Sequence, residues 1–179
     1  MATVYSIIKN HSGFIKVESQ IGEGTTFTVY LPAIEAAAFV DEPEKAMPVI
    51  GQGRVLVMDD DENIREVLCQ LLSKLGYQAD SARDGSQAIE KFVEAKESGR
   101  PFAVVILDIT IPGGMGGKET IGELLTIDPQ VKAIVSSGYS DDSIMADFET
   151  YGFSAVIAKP YRVVELSKIL QGVITKRAN

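Results

Sequence analysis

Apolar and polar positions change period several times along the chain, and each change predicts an element. In "ATVYSIIKNHSG", Val4, Ile7 and Ile8 recur at helical spacing and Gly13 is placed to stop the helix. "FIKVES" and "TTFTVYLPA" alternate apolar with polar on either side of "QIGEG", the pattern of a hairpin around a turn. One helix and one hairpin bury too little surface to fold well alone. Residues 1–32 are therefore expected to be a docked appendage or the tail of a domain cut elsewhere. Residues 33–52 keep no period and carry Pro43, Pro48 and scattered charges, a linker composition whose Ala-rich start could continue as a short helix.

From residue 53 the alternation of periods becomes regular. "RVLVM" is a short apolar run; Ile64, Val67, Leu68, Leu71, Leu72 and Leu75 then recur at helical spacing until Gly76. "YQADSA" predicts a weak strand, Asp84-Gly85 a turn, and Ser86 an N-cap for "QAIEKFVEAK". "FAVVILD" is fully apolar up to Asp108, and "KETIGELLTI" follows the glycines of "PGGMGG" as a helix. The strand "VKAIVSS", the helix "SIMADFETYG", the strand "SAVIAKP" and the helix "VVELSKILQGVIT" complete a βαβαβαβαβα order over residues 53–179. Continuous apolar runs, as opposed to alternating ones, mark strands covered on both faces. The expected class is α/β: a doubly wound parallel sheet of five strands with helices on both faces, preceded by a small helix–hairpin fragment.

Composition removes several kinds of ligand. Seventeen basic against 25 acidic residues leave a net charge of −8, which argues against nucleic acid, since phosphate-backbone binding needs a basic face. A cation or a basic partner is the more natural ligand. The single cysteine, Cys69, sits in an apolar helical pattern and reads as a buried reduced thiol, as in a cytosolic compartment. No apolar run reaches the ~20 residues of a membrane span, and no signal peptide opens the chain. The expectation is a cytoplasmic polypeptide without direct membrane contact; a parent protein attached to a membrane upstream, and a homodimer, are both compatible with it.

The candidate chemistry lies at the ends of the apolar runs. "RVLVM" stops in three consecutive aspartates, Asp59, Asp60 and Asp61, and like charges about 4 Å apart repel by roughly 4 kcal/mol at a surface-like dielectric. In an open doubly wound sheet, ligands bind beyond the carboxyl ends of the strands. That edge would gather Asp59 and Asp60 after the first strand, Asp108 after the third, Ser137 after the fourth and Lys159 after the fifth. Convergent carboxylates suit a hard divalent cation, Mg²⁺ when a phosphate shares the site. A carboxylate held there can attack a phosphoryl group and form an acyl phosphate. Lys159 would supply a point charge to the transferred group and Ser137 a hydrogen bond.

Over residues 53–177, "VLVMDDDENIRE", "VVILDITIPGGMGG", "IVSSGYS" and "IAKPY" resemble a response-regulator receiver domain of two-component phosphorelays. The resemblance implies a flavodoxin-like strand order, 2-1-3-4-5. It also implies an acidic pair in Asp59 and Asp60, with Asp60 the direct metal ligand and Asp59 acting largely through water. Asp108 matches the phosphoacceptor, and Thr110 would give its backbone carbonyl to the metal. Lys159 matches the family lysine, with Pro160 in the cis-proline place. Ser137 matches the switch hydroxyl in preference to Ser136, because the family keeps a 22-residue step to the lysine. Asp61 matches no required acid and is expected to be solvated. The implied partner is a histidine kinase domain or a histidine phosphotransfer protein.

Two departures stand out. The family's aromatic switch position, three before the lysine, holds Val156, so Tyr161 or Tyr139 is left to take its place. "EAKESGRPF" is longer than the usual join and implies an extended helix or loop far from the site. The first 32 residues are similar to the last helix and final hairpin of a histidine-kinase ATP-binding domain, with "GEGTTF" as its late glycine box and His11 on the surface. The nucleotide-holding boxes and a phosphodonor histidine are absent from the sequence. A hybrid sensor kinase, represented here by its C-terminal part without kinase catalysis, is the implied parent, and no effector domain is expected after the last helix. Two alternatives remain open. A haloacid-dehalogenase-type phosphatase would need a second acid where Thr110 stands, and an interaction module that is never phosphorylated would have no need of the five site residues.

Overall fold

A computed structural model describes residues 4, 7–9, 11–33, 47–138 and 147–175. The chain divides into two compact units, Met1–Lys45 and Ala46–Asn179. In the first, β1 (Phe14–Gln20) and β2 (Gly24–Tyr30) form an antiparallel hairpin in which Phe14 faces Tyr30 and Val17 faces Phe27. Ile8 is buried in this unit, whereas Phe14, Val17, Phe27, Val29, Tyr30 and Leu31 are all exposed.

The second unit runs β3 (Arg54–Met58), α1 (Glu62–Lys74), β4 (Gln78–Ala82), α2 (Gly85–Glu97), β5 (Val104–Asp108), α3 (Gly117–Ile127) and β6 (Ala133–Ser137). A 3-10 turn (Phe148–Tyr151), β7 (Ala155–Ala158) and α4 (Val163–Thr175) complete it. The five strands lie parallel in the order β4-β3-β5-β6-β7, the expected 2-1-3-4-5. Side chains alternate across each strand, and here both faces are apolar. Val55, Val57, Ile106, Ile134 and Ile157 pack beneath Leu68 and Leu72 of α1 and Leu166 and Leu170 of α4. Leu56, Met58, Leu107 and Val135 pack beneath Phe92 of α2 and Ile121 and Leu124 of α3. That double cover explains why the strands read as unbroken apolar runs.

Helix ends follow local chemistry. Gly76 has φ +89°; its amide donates to Ser73 and that of Tyr77 to Leu72, a Schellman closure that only a left-handed residue permits without strain. The expected Ser86 cap is replaced by Asp84, whose extended backbone lets its carboxylate accept from the Gln87 amide, so α2 starts two residues earlier. The long "EAKESGRPF" stretch extends α2 to Glu97 and turns at Ser98, at the opposite end of the sheet from the strand-end aspartates. Within "SIMADFETYG" the described residues form the 3-10 turn, and residues 143–146 lie outside the described residues. Cys69 is half-buried, not buried, and burial raises its thiol pKa.

Candidate functional site

The first strand end is held by its own backbone and by its neighbours. Asp59 is 2% exposed. Its amide continues the ladder to the Ala82 carbonyl, while its carboxylate accepts from the Asp61 amide at 3.0 Å and from Lys159 Nζ at 2.6 Å. Asp60 is exposed. Asp61 has a structural task beyond exposure to solvent: its carboxylate accepts from the Asn63 amide at 2.8 Å and caps α1. That hydrogen bond, with help from the Asn63 side chain, holds the Asp61 carboxyl below the usual carboxylate range. Arg65, one turn into the helix, donates to the backbone carbonyls of Asp59 and Asp60 at 2.8 and 3.0 Å. Sequence pattern cannot reveal such a clamp, because its acceptors are main-chain atoms.

Asp108 closes β5 and is 8% exposed. Burial raises its pKa; the Lys159 hydrogen bond opposes that shift, and the nearby charges of Asp59 and Asp60 add to it. Lys159 follows β7 and reaches back across the sheet edge, donating to Asp108 Oδ2 at 2.9 Å as well as to Asp59 Oδ2. Burial works against the lysine charge, yet the hydrogen bonds to Asp59 and Asp108 carry its pKa above the ordinary lysine value. The glycines of "PGGMGG" are spatial as much as conformational. A Cβ on Gly117 would press on the Asp108 carbonyl, so α3 can begin hard against the acceptor strand only with glycine there.

Carboxylate oxygens of Asp59, Asp60 and Asp108 all lie within 4.8 Å of one another. One ammonium bridges two of these three acids, and a donor set made only of oxygen fits a hard divalent cation such as Mg²⁺. The like-charge repulsion legible in the sequence is thus concentrated at one point, where a cation would relieve it.

The remaining predicted residues fall around this cluster. Ser136 is the Cα partner of Asp108, and Ser137, one residue further, is 5% exposed and accepts from the Lys159 amide through its carbonyl at 2.9 Å. Thr110 is exposed just past β5. The Lys159-Pro160 peptide is cis. Val156 packs toward the α2/α3 side of the sheet. Tyr161 packs on the α1/α4 side, the face opposite Val156, with its hydroxyl 2.8 Å from that of Ser136; Tyr139 lies outside the described residues. Beside Lys159 opens an apolar groove of about 470 Å³, lined by Asn63, Ile64, Val67, Lys159, Pro160 and Tyr161.

Known proteins place this architecture. The sensor kinase CckA of Brucella abortus is 30% identical over a 186-position alignment that takes in 99% of this chain but only 19% of CckA, so the chain spans about a fifth of that relative. The chemotaxis protein CheY of Thermotoga maritima is 36% identical over 121 residues, 65% of this chain and 96% of its own length. Among solved structures, the response regulator TrrA of Thermotoga maritima, in complex with Mg²⁺ and beryllofluoride, superposes with a TM-score of 0.59 at 31% identity, covering 68% of this chain and 98% of TrrA. Receiver domains bind Mg²⁺ at an acidic pocket and interact with histidine kinases or phosphotransfer proteins. Residues 55–171 match the sequence profile of the response regulator receiver domain, well over half of the chain, and the protein belongs to that family of phosphorelay signalling domains.

Proposed function

We propose that residues 53–179 form a Mg²⁺-dependent receiver that takes a phosphoryl group from a phosphohistidine onto Asp108. The observation that carries this is the convergence of Asp59, Asp60 and Asp108 on one point, with Lys159 bridging two of them. In the transfer, a carboxylate oxygen of Asp108 forms the P–O bond as the P–N bond to the donor imidazole breaks. The imidazole leaves with the electron pair. Asp59, Asp60, Asp108 and the Thr110 carbonyl would hold the cation, which supplies charge neutralisation for the phosphoryl oxygens. The Lys159 ammonium, already against Asp108, needs only a small shift to meet a phosphoryl oxygen, and Ser137 offers a hydroxyl from the adjacent strand. The chain promotes its own phosphorylation and dephosphorylation without turning over a second substrate.

The donor, a histidine kinase domain or phosphotransfer protein, must bring its histidine within bonding distance of Asp108. The groove shares Lys159 with the site and is almost wholly apolar, with Val67 52% exposed, which suits a docking surface for that donor. Residues 1–32 are proposed to be the last helix and hairpin of a kinase ATP-binding domain. Their exposed apolar residues support this, as does an alignment with CckA that includes them. The parent would then be a cytoplasmic or membrane-attached hybrid kinase.

Incubation with Mg²⁺ and acetyl phosphate tests the central claim. One hydroxylamine-sensitive phosphoryl group per chain is expected, and none in Asp108→Asn. Label persisting in Asp108→Asn would move the acceptor elsewhere, and sustained phosphate release would indicate a phosphatase.

A further inference from the structure

Ser136 has no role above and Tyr161 only lines the groove, yet together they connect the acceptor strand to it. Ser136 is 1% exposed, and its hydroxyl lies 2.8 Å from the Tyr161 hydroxyl. Its carbonyl accepts from the amide of Ile109, the residue after the phosphoacceptor, at 3.1 Å. On the other side, the Ser137 carbonyl accepts from the Lys159 amide at 2.9 Å. The end of β6 is therefore fastened to Asp108–Ile109 by one edge and to the lysine by the other. Adjacent strand residues point to opposite faces, so Ser137 and Ser136 present their hydroxyls to different sides of one short backbone segment.

We propose that Tyr161 is a positioning residue which, through its hydrogen bond to Ser136, sets the shape of the Asn63–Val67–Tyr161 groove according to whether Asp108 carries a phosphoryl group. This rests on the assignment of Asp108 as acceptor and goes beyond it. The physical step is short. A phosphoryl group on Asp108 recruits the Lys159 ammonium and the Ser137 hydroxyl, and both pull on the end of β6. Ser136 moves with the backbone it shares with Ser137. A hydroxyl so deeply buried loses free energy if its partner is left behind, so the Tyr161 hydroxyl follows it. The tyrosine ring, which forms one wall of the groove beside Ile64 and Val67, turns with its hydroxyl. The groove thereby differs between the state that must accept a donor and the state that has already reacted with one. Coupling of this kind lets the receiver release its donor after transfer, since a ligand can discriminate two states only if its surface differs between them.

The test uses the full chain labelled with 3-fluorotyrosine, with Mg²⁺ and beryllofluoride standing in for the phosphoryl group. The Tyr161 fluorine resonance, assigned by its loss in Tyr161→Phe, is expected to shift on addition of the mimic. In Ser136→Ala that shift should fall to less than half, while the Asp108 and Ile109 amide resonances still respond. A full Tyr161 shift in Ser136→Ala would overturn the proposal, because it would mean that the ring senses the charge directly. So would an unmoved Tyr161 resonance in the wild type alongside responding Asp108 and Ile109 amides. Silence of those amides in the wild type would instead refute the acceptor assignment. Should Ser136→Ala fail to fold, Tyr161→Phe carries the test through the Ile64 and Val67 methyl resonances. Their response to the mimic is expected to drop at least twofold relative to wild type, and an undiminished response overturns the coupling.

Discussion

The two ends of the five-stranded sheet handle charge in opposite ways. At the amino end three cations each have a partner: Arg54 bonds Asp80 at 2.8 Å and stacks on Phe102, Lys96 pairs with Asp128 at 3.2 Å, and Lys132 donates to the Ile174 carbonyl. At the carboxyl end three carboxylates converge on one another, and the ammonium of Lys159 bridges only two of them. The first arrangement is complete within the fold. The second becomes electrostatically complete only with another cation. Charge alone does not mark a site, since both ends have it; unbalanced charge held in place by surrounding structure does.

Removing Lys159 should break this contrast most severely. Side chains of Asp59 and Asp108 are only 3% and 12% exposed, so Lys159→Met leaves two buried acids without a counter-charge. Stripping one partner from a buried ion pair costs about 3–5 kcal/mol. Urea unfolding in EDTA should show a loss of that order, narrowed by millimolar Mg²⁺ because the cation replaces the missing charge. A loss below about 1 kcal/mol, or one indifferent to Mg²⁺, would mean that the acids are not held together against their repulsion.

Asp60→Ala probes the same end without the burial. Asp60 is exposed, so stability should change by no more than about 0.5 kcal/mol. Mg²⁺ affinity should nevertheless fall by roughly tenfold, about 1.4 kcal/mol, by titration calorimetry. Unchanged affinity would remove Asp60 from the metal site. Arg54→Ala is the control at the amino end. Loss of its ion pair and its stacking on Phe102 should cost about 1 kcal/mol in urea unfolding, with Mg²⁺ affinity and phosphoryl labelling left as in wild type.

The asymmetry between the ends also explains how much of the site was legible in the sequence. Asp59, Asp108 and Lys159 could be found because they end unbroken apolar runs, and a parallel sheet brings such ends to one edge. The helices could be placed because their apolar periodicity was strong, as with Leu68, Leu72 and Leu75. What escaped depends on atoms that carry no pattern. Arg65 binds main-chain carbonyls, Gly117 matters for what a Cβ would strike, and the Ser136–Tyr161 bond joins residues 25 positions apart. Ser86 was expected to cap α2, with Asp84 in the turn before it; backbone conformation, which composition does not carry, made Asp84 the cap.

Asp61 sets capping against repulsion within one side chain. Its carboxylate stands beside two other acids, yet its pKa is lowered, and the largest cause is the Asn63 amide that it caps. Were repulsion dominant, the shift would be upward, so the ionised group is net favourable in the folded state. A lowered folded pKa gives stability that is present above the unfolded value, about 3.9, and lost as pH falls through the folded one. Asp61→Ala should therefore lower Tm by a near-constant amount from pH 7 to about pH 5, and the gap should close below about pH 4. Mg²⁺ should widen the gap at neutral pH, because it screens the repulsive part and leaves the cap intact. A variant more stable than wild type at pH 7 would show that repulsion among the three aspartates outweighs the cap.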